Sequence, residues 1–231
     1  MPPDLCLKLI NMSTTIIEPS LALQLHEAKE TFRTTAPAET VQHFVHFIDE
    51  LENSSIRESA LAVGQKAPDF TLPDALGLDT TLSNLLEAGP VILTWYRGGW
   101  CPYCNLQLSY LQRFLPDFEK AGAKLVAITP ETPDSSLSTQ EKHDLRFEVL
   151  TDPANSVAKA YGGVHHLPEE IKKAYADRNV FDHYADDVDE FPIPATYIID
   201  TAGVVRYRFV EPDYRKRAEP ADLLAALQDL G

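Results

Sequence analysis

Apolar positions recur along this chain in two rhythms, and each rhythm predicts a different kind of element. Leu21, Leu25, Ala28 and Phe32 return at helical spacing, which predicts a helix opened at Pro19-Ser20 and broken by Thr34-Thr35-Ala36-Pro37. Val41, Phe44, Val45, Ile48 and Leu51 repeat the rhythm and predict a second helix from about Ala38 to Leu51. Two helices this short bury little by themselves. Residues 1–61 therefore read as a helical arm that must lean on the rest of the chain or on a second subunit. The arm is either a plain extension or a surface for a homodimer or another partner.

From residue 62 the rhythm shortens. Phe70 and Leu72 alternate with polar neighbours as in a half-buried strand, and Pro73 to Gly77 turns the chain into a second short strand at Leu78 to Leu82. Ser83 is placed to cap a short helix, Asn84 to Glu87. Val91 to Tyr96 is apolar almost throughout, which predicts a strand covered on both faces. Leu106, Leu108, Leu111, Phe114, Leu115 and Phe118 predict a helix that Gly122 ends. A strand at Lys124 to Thr129, a helix from Thr132-Pro133 to about His143 and a strand at Phe147 to Leu150 follow. Asp152-Pro153 is expected to cap and open a helix ending near Tyr161-Gly162.

Residues 163–192 read as an insertion with one helix, Glu169 to Tyr175, and an acidic run (Asp182, Asp186, Asp187, Asp189, Glu190) expected on a solvated loop. Thr196 to Asp200 and Val204 to Val210 form a predicted hairpin about Thr201-Ala202-Gly203. Pro220 opens a last helix with Leu223, Leu224 and Leu227 inward. Strands alternating with helices predict an α/β domain over residues 62–231, with a central mixed sheet flanked by helices.

Charge and composition narrow the partners. A net charge of −15 over 231 residues argues against a nucleic-acid partner, which needs clustered positive charge. Arg206, Arg208, Arg215, Lys216 and Arg217 form one basic neighbourhood, expected to be surface compensation for the acidic body. No apolar run is long enough for a membrane span, and no signal peptide is evident at the start. Three cysteines do not make a secreted disulfide scaffold, so a reducing, cytoplasmic compartment is expected. Cys6 sits among Leu5, Leu7, Leu9 and Ile10 and is expected to pack or to have no role.

The strongest chemical signal is Trp95-Tyr96-Arg97-Gly98-Gly99-Trp100-Cys101-Pro102-Tyr103-Cys104, where a strand turns into a helix. Cysteines three apart share one side of a helix, so Cys101 and Cys104 can meet across a turn and form a short-loop disulfide. Pro102 suits the first helical position, which puts Cys101 at the helix start. Free N–H groups and the helix dipole stabilise a thiolate there, and by this argument Cys101 is the better exposed thiolate. Gly98 and Gly99 either ease a tight turn or let backbone N–H groups approach the sulfur. Arg97 offers a positive charge, and Trp100 and Tyr103 are placed to shape and shield the pair. A zinc site would need two further ligands, with His143, His165 and His166 the candidates, none at finger-like spacing. No metal and no cofactor are expected, and redox chemistry outweighs inert packing.

The segment Trp100-Cys101-Pro102-Tyr103-Cys104 resembles the W-C-x-x-C of thioredoxins. Val63-Gly64-Gln65-Lys66-Ala67-Pro68-Asp69-Phe70 resembles the start of a peroxiredoxin domain, as does the order Asp152-Pro153 then Tyr161-Gly162. Pro194-Ala195-Thr196-Tyr197-Ile198-Ile199-Asp200 resembles the thioredoxin-family segment that opens with a cis-proline. From about Ala62 to Leu230 the chain thus resembles the peroxiredoxin-like, AhpC/TSA branch of the thioredoxin superfamily. The resemblance implies a thioredoxin-like fold and thiol redox chemistry, with Pro194 facing the cysteine pair. In the peroxiredoxin pattern P-x-x-x-T-x-x-C, Cys104 stands at the attacking cysteine, Cys101 replaces the threonine and Arg97 the proline. The peroxiredoxin arginine before the late strand reads Pro194 here. In thioredoxins the first cysteine attacks, which would be Cys101.

The leading expectation is a thiol-dependent peroxidase that reduces hydrogen peroxide or organic hydroperoxides and is recharged by thioredoxin, glutathione or a similar thiol. A protein disulfide oxidoreductase and a non-catalytic scaffold on the same fold are the rivals, and which cysteine attacks stays open.

Overall fold

A computed structural model describes residues 20–185 and 188–230; Cys6 and the acidic pair Asp186-Asp187 fall outside the described residues. Helix α1 (Leu21–Thr35) begins where Ser20 accepts the Leu23 N–H, and α2 (Ala38–Glu52) follows the Pro37 break. On α2 the buried stripe is Phe44, Phe47, Ile48 and Leu51, while Val45 stands 48% exposed. The inward face is thus turned by one position from the expected one, because Phe47 carries more apolar surface into the core than Val45 does. A single turn, α3 (Ile56–Ser59), leads to the ribbon β1 (Thr71–Pro73) and β2 (Asp79–Thr81).

Helix α4 spans Leu82–Leu86 and starts earlier than expected. Leu82, Leu85 and Leu86 are buried at helical spacing and fix that start. Ser83 is no cap: it lies inside the helix, and its N–H goes to Asp69 Oδ1. Strand β3 (Val91–Trp95) is buried at every position and runs into α5 (Pro102–Lys120), a turn longer at its start than the apolar pattern indicated. Then come β4 (Lys124–Thr129), α6 (Pro133–His143), β5 (Glu148–Thr151) and α7 (Ser156–Ala160). Asp152 does cap α7, but Pro153 does not open it. The chain first passes through Asn155 at positive φ, and the Asp152 carboxylate then accepts the N–H groups of Ser156, Val157 and Ala158 at 2.8, 3.0 and 3.1 Å.

The insertion is more ordered than its sequence suggested. Strands β6 (Val164–His166) and β7 (Glu190–Pro192) pair antiparallel and clasp α8 (Glu169–Ala176) and a 3-10 turn at Val180–His183. Glu190, expected on a solvated loop, bridges Lys159 and His166. Strands β8 (Thr196–Ile199) and β9 (Val205–Phe209) and helix α9 (Pro220–Gln228) complete the chain.

The main sheet has the order β5-β4-β3-β8-β9. β3, β4 and β5 run parallel, and β8 and β9 are antiparallel to their neighbours. This is the mixed, open, helix-flanked sheet of a thioredoxin-like fold, with β3 at its centre. A central strand buried on both faces needs a continuous apolar run, and Val91 to Trp95 supplies it. The arm packs onto the domain: α1 lies on α5 and α2 on α8. Phe44 meets Tyr175 at 5.7 Å between ring centroids, and Phe47 meets His165 at 5.3 Å.

The Asp152 cap gathers three backbone donors at once. Asp152→Ala is expected to lower unfolding free energy by about 1–3 kcal/mol, with the urea midpoint as the measurement. An unchanged midpoint would show that the cap carries no stability.

Candidate active site

The end of β3 delivers Tyr96 and Arg97 to a turn that exists because of its two glycines. A Cβ on Gly98 would stand 2.8 Å from Glu131 Oε1 and far inside contact distance of the Trp100 ring. A Cβ on Gly99 would collide with Thr139. The expected backbone approach to sulfur is not where the Gly99 amide goes: its N–H donates to Glu131 Oε1 at 3.0 Å. Cys101 then takes an extended conformation as the N-cap of α5, Pro102 occupies the first turn, and Cys104 lies one turn further in.

Both cysteines are free thiols and both are 0% exposed. The expectation that Cys101 is the better exposed of the two is thus corrected. The arm supplies the physical reason, because Phe32 and Phe44 of α1 and α2, with Tyr175 of α8, wall the cavity beside the redox turn. That cavity also touches Arg97, Trp100, Pro102, Tyr103 and Tyr214 and has a volume of about 80 Å³. It has room for a few water-sized molecules and no more.

Each sulfur has its own guanidinium. Arg97 Nη2 donates to Cys101 Sγ at 3.1 Å, and its Nη1 donates to the Tyr175 hydroxyl at 2.8 Å. The Arg97 guanidinium also lies over the Tyr214 ring at 3.8 Å and the Trp100 ring at 5.0 Å. Arg217 Nη2 donates to Cys104 Sγ at 3.3 Å, and its Nη1 donates to the carbonyls of Tyr214 and Lys216. Both arginines are at least nine-tenths buried, and neither meets a carboxylate among the described residues. A buried cation without a counter-ion is costly. The anion available to Arg97 is the Cys101 thiolate.

The pair titrates as one unit with its two sulfurs pushed apart. Burial alone would raise the Cys101 thiol, but the Cys104 S–H, Arg97 and Arg217 more than reverse it and hold Cys101 well below the ordinary range. Burial, and then the Cys101 charge, hold Cys104 well above it. The opposite directions of the two shifts favour negative charge on Cys101 and the proton on Cys104.

Of the other residues singled out in sequence, Trp100 donates its indole N–H to the Tyr184 hydroxyl, which donates in turn to the Arg97 carbonyl. The ring of Tyr103 faces Tyr214 at 6.2 Å, and burial pushes its hydroxyl up to about 12. Pro194 is buried just before β8, but its peptide bond is trans, as are all those among the described residues. The cis arrangement of the resembled segment is thus absent. The basic neighbourhood is not simple surface compensation. Arg217 is a core residue on the second sulfur, and Arg215 clasps Asp213 at 2.8 Å. Arg217, Glu131, Tyr175 and Tyr214 were not legible as site residues. Among the described residues no three His, Cys, Asp or Glu side chains gather as metal ligands, and no helix is long and apolar enough to cross a membrane.

Known proteins carry the same architecture. The sequence model of the AhpC/TSA family matches residues 63–208. A candidate peroxiredoxin of Mycobacterium tuberculosis H37Rv is 29% identical over 149 residues, 64% of this chain and 85% of that one. The thiol-disulfide oxidoreductase ResA of Geobacillus thermodenitrificans is 30% identical over 155 residues, 67% of this chain and 72% of its own. The crystal structure of peroxidoxin BcpB from Mycobacterium tuberculosis superimposes with a TM-score of 0.59 at 22% identity, covering 74% of this chain and 99% of that one.

The Arg97 contact predicts the titration of the pair. Ultraviolet thiolate absorbance of the reduced protein should persist below the ordinary thiol range, and Arg97→Met should move the transition upward by roughly one unit or more. Cys101→Ser should abolish it and Cys104→Ser should keep it. An Arg97→Met transition that coincides with the wild-type one would remove Arg97 as the counter-ion.

Proposed function

The chain belongs to the AhpC/TSA family, and on that footing we propose that it is a thiol-dependent peroxidase in which Cys101 attacks and Cys104 resolves. The observation that carries this reading is the pairing of Cys101 with a buried guanidinium that has no carboxylate partner among the described residues. A thiolate is the nucleophilic form of cysteine, and a buried cation makes it available at neutral pH.

The Cys101 thiolate attacks the terminal oxygen of a hydroperoxide. The S–O bond forms, the O–O bond breaks, and the departing alkoxide or hydroxide takes a proton to leave as alcohol or water. Cys101 is now a sulfenic acid. Cys104, held as the thiol, condenses with it: the S–S bond forms and water leaves with the sulfenic oxygen and the Cys104 proton. The pair has given up two electrons. Thioredoxin, glutathione or a similar thiol returns them. No metal or cofactor enters this cycle.

Arg97 supports the first step by neutralising the attacking sulfur and by lying on the cavity that would receive the peroxide. Arg217 supports the return step, because the Cys104 sulfur leaves as a thiolate when an external thiol attacks Cys101. The small size of the cavity favours a hydroperoxide over a protein disulfide as oxidant. The rival reading, thiol–disulfide exchange with a protein, draws on the W-C-x-x-C pattern and the similarity to ResA.

Stopped-flow reaction of the reduced protein with hydrogen peroxide separates the two. Cys101→Ser is expected to lose peroxide reactivity by about a thousandfold or more. Cys104→Ser should still be oxidised once, to a sulfenic acid trapped by dimedone, without sustained turnover under a thiol reductant. Rapid reduction of a protein disulfide with negligible peroxide consumption would instead establish the rival. Fast oxidation of Cys101→Ser would reverse the assignment of the two sulfurs.

A further inference from the structure

Glu131 is a buried acid that the cycle above does not use. It follows β4 and is 0% exposed. Its Oε1 holds the Gly99 N–H at 3.0 Å, two residues before the attacking sulfur, and its Oε2 has no hydrogen-bond partner. A carboxylate buried with one oxygen unsatisfied is poorly solvated, which favours its neutral form. Beside it lies a cavity of about 320 Å³ that Trp100, Thr139 and His183 also line. His183 is part-exposed, with Nδ1 3.9 Å from Glu131 Oε1, so the acid has a neighbour that reaches solvent.

We propose that Glu131 exchanges a proton with solvent in step with the redox state of the cysteine pair, so that reduction loads a proton onto it and oxidation releases it. The inference rests on the redox cycling of Cys101 and Cys104 proposed above. Reduction brings two electrons to the disulfide. The Cys104 sulfur takes one proton, and the Cys101 sulfur keeps its negative charge against Arg97. That new charge lies two residues beyond the Gly99 N–H that Glu131 holds, and it opposes a second charge there. Glu131 therefore binds a proton from solvent when the pair is reduced. When the disulfide forms again, the Cys101 charge is gone and the proton leaves.

The surroundings fit this coupling. Burial foremost pushes the Glu131 carboxyl up to about 7, against the Gly99 N–H and Tyr96, which both lower it, and with the Cys101 charge as a smaller upward push, so a change in nearby charge moves it across neutral pH. The other ionisable groups around it are Tyr96 from the end of β3, Asp134 and Lys142 from α6, His183 and Tyr184 from the insertion, and Arg97 from the redox turn. Burial holds Tyr96 and Tyr184 well above their ordinary range, so neither exchanges a proton near neutrality. His183 is the one histidine among these neighbours, and the test must separate it from Glu131.

The readout is the number of protons taken up per pair reduced. It is obtained from the pH dependence of the equilibrium between the full-length protein and dithiothreitol over about pH 5.5–8.5, after allowance for the reagent's own ionisation. Wild type is expected to take up more than one proton in the neutral range, and Glu131→Gln to take up one throughout. Glu131→Gln keeps an oxygen for the Gly99 N–H, so a purely structural role would leave the proton count alone. His183→Asn should retain the wild-type excess. An unchanged count in Glu131→Gln, or loss of the excess in His183→Asn alone, overturns the inference while leaving the cycle intact. Failure of the wild type to form the Cys101–Cys104 disulfide overturns both.

Discussion

Among the described residues two guanidinium groups lie in the interior, and sulfur is placed to answer them. Burying a guanidinium costs several kcal/mol unless an anion meets it. Arg97 and Arg217 are both buried without a carboxylate among the described residues, and each donates to one sulfur of the C-x-x-C pair. The rest of the site follows from this arrangement. Tyr175 and the backbone carbonyls of Tyr214 and Lys216 accept from the two Nη1 groups, while both Nε–H groups are buried without a partner. The Trp100 and Tyr214 rings face the Arg97 charge with their π clouds. The redox turn, the insertion and the carboxy-terminal loop are thereby tied to one electrostatic centre.

The same centre explains why the arm belongs to the site. Exposed to water, a guanidinium and a thiolate attract weakly; in a dry environment they attract strongly. Phe32 and Phe44 help to make that environment, and their helices are pinned to the body by polar contacts at their ends. Ala22 N–H reaches Glu219, and Lys216 reaches Glu52. An extension that looks like an accessory in sequence is therefore part of what excludes solvent from the sulfurs.

How much of this was legible depended on how local each signal is. The central strand was readable because burial on both faces demands an unbroken apolar run, and Val91 to Trp95 has one. The cysteine pair was readable because its spacing is itself the chemistry. Strands β6 and β7 were not, since three residues each leave no period to detect. Glu131 stands between Pro130 and the capping Thr132 and reads as ordinary turn polarity; only the fold brings the Gly98-Gly99 turn onto it. Arg217 sits in a basic run, where its neighbours Arg215 and Lys216 pair with carboxylates, the buried Asp213 and the exposed Glu52. Nothing nearby in sequence distinguishes the one that turns inward.

Arg217 and Cys104 are 113 residues apart. The cation that meets the second sulfur thus leaves the ribosome well after the sulfur itself. A growing chain carries the complete cysteine motif for 113 residues of synthesis with that sulfur still lacking its guanidinium. The full electrostatic setting of the pair comes into being only when the loop that carries Arg217 docks, so the ripening of its reactivity waits on that loop.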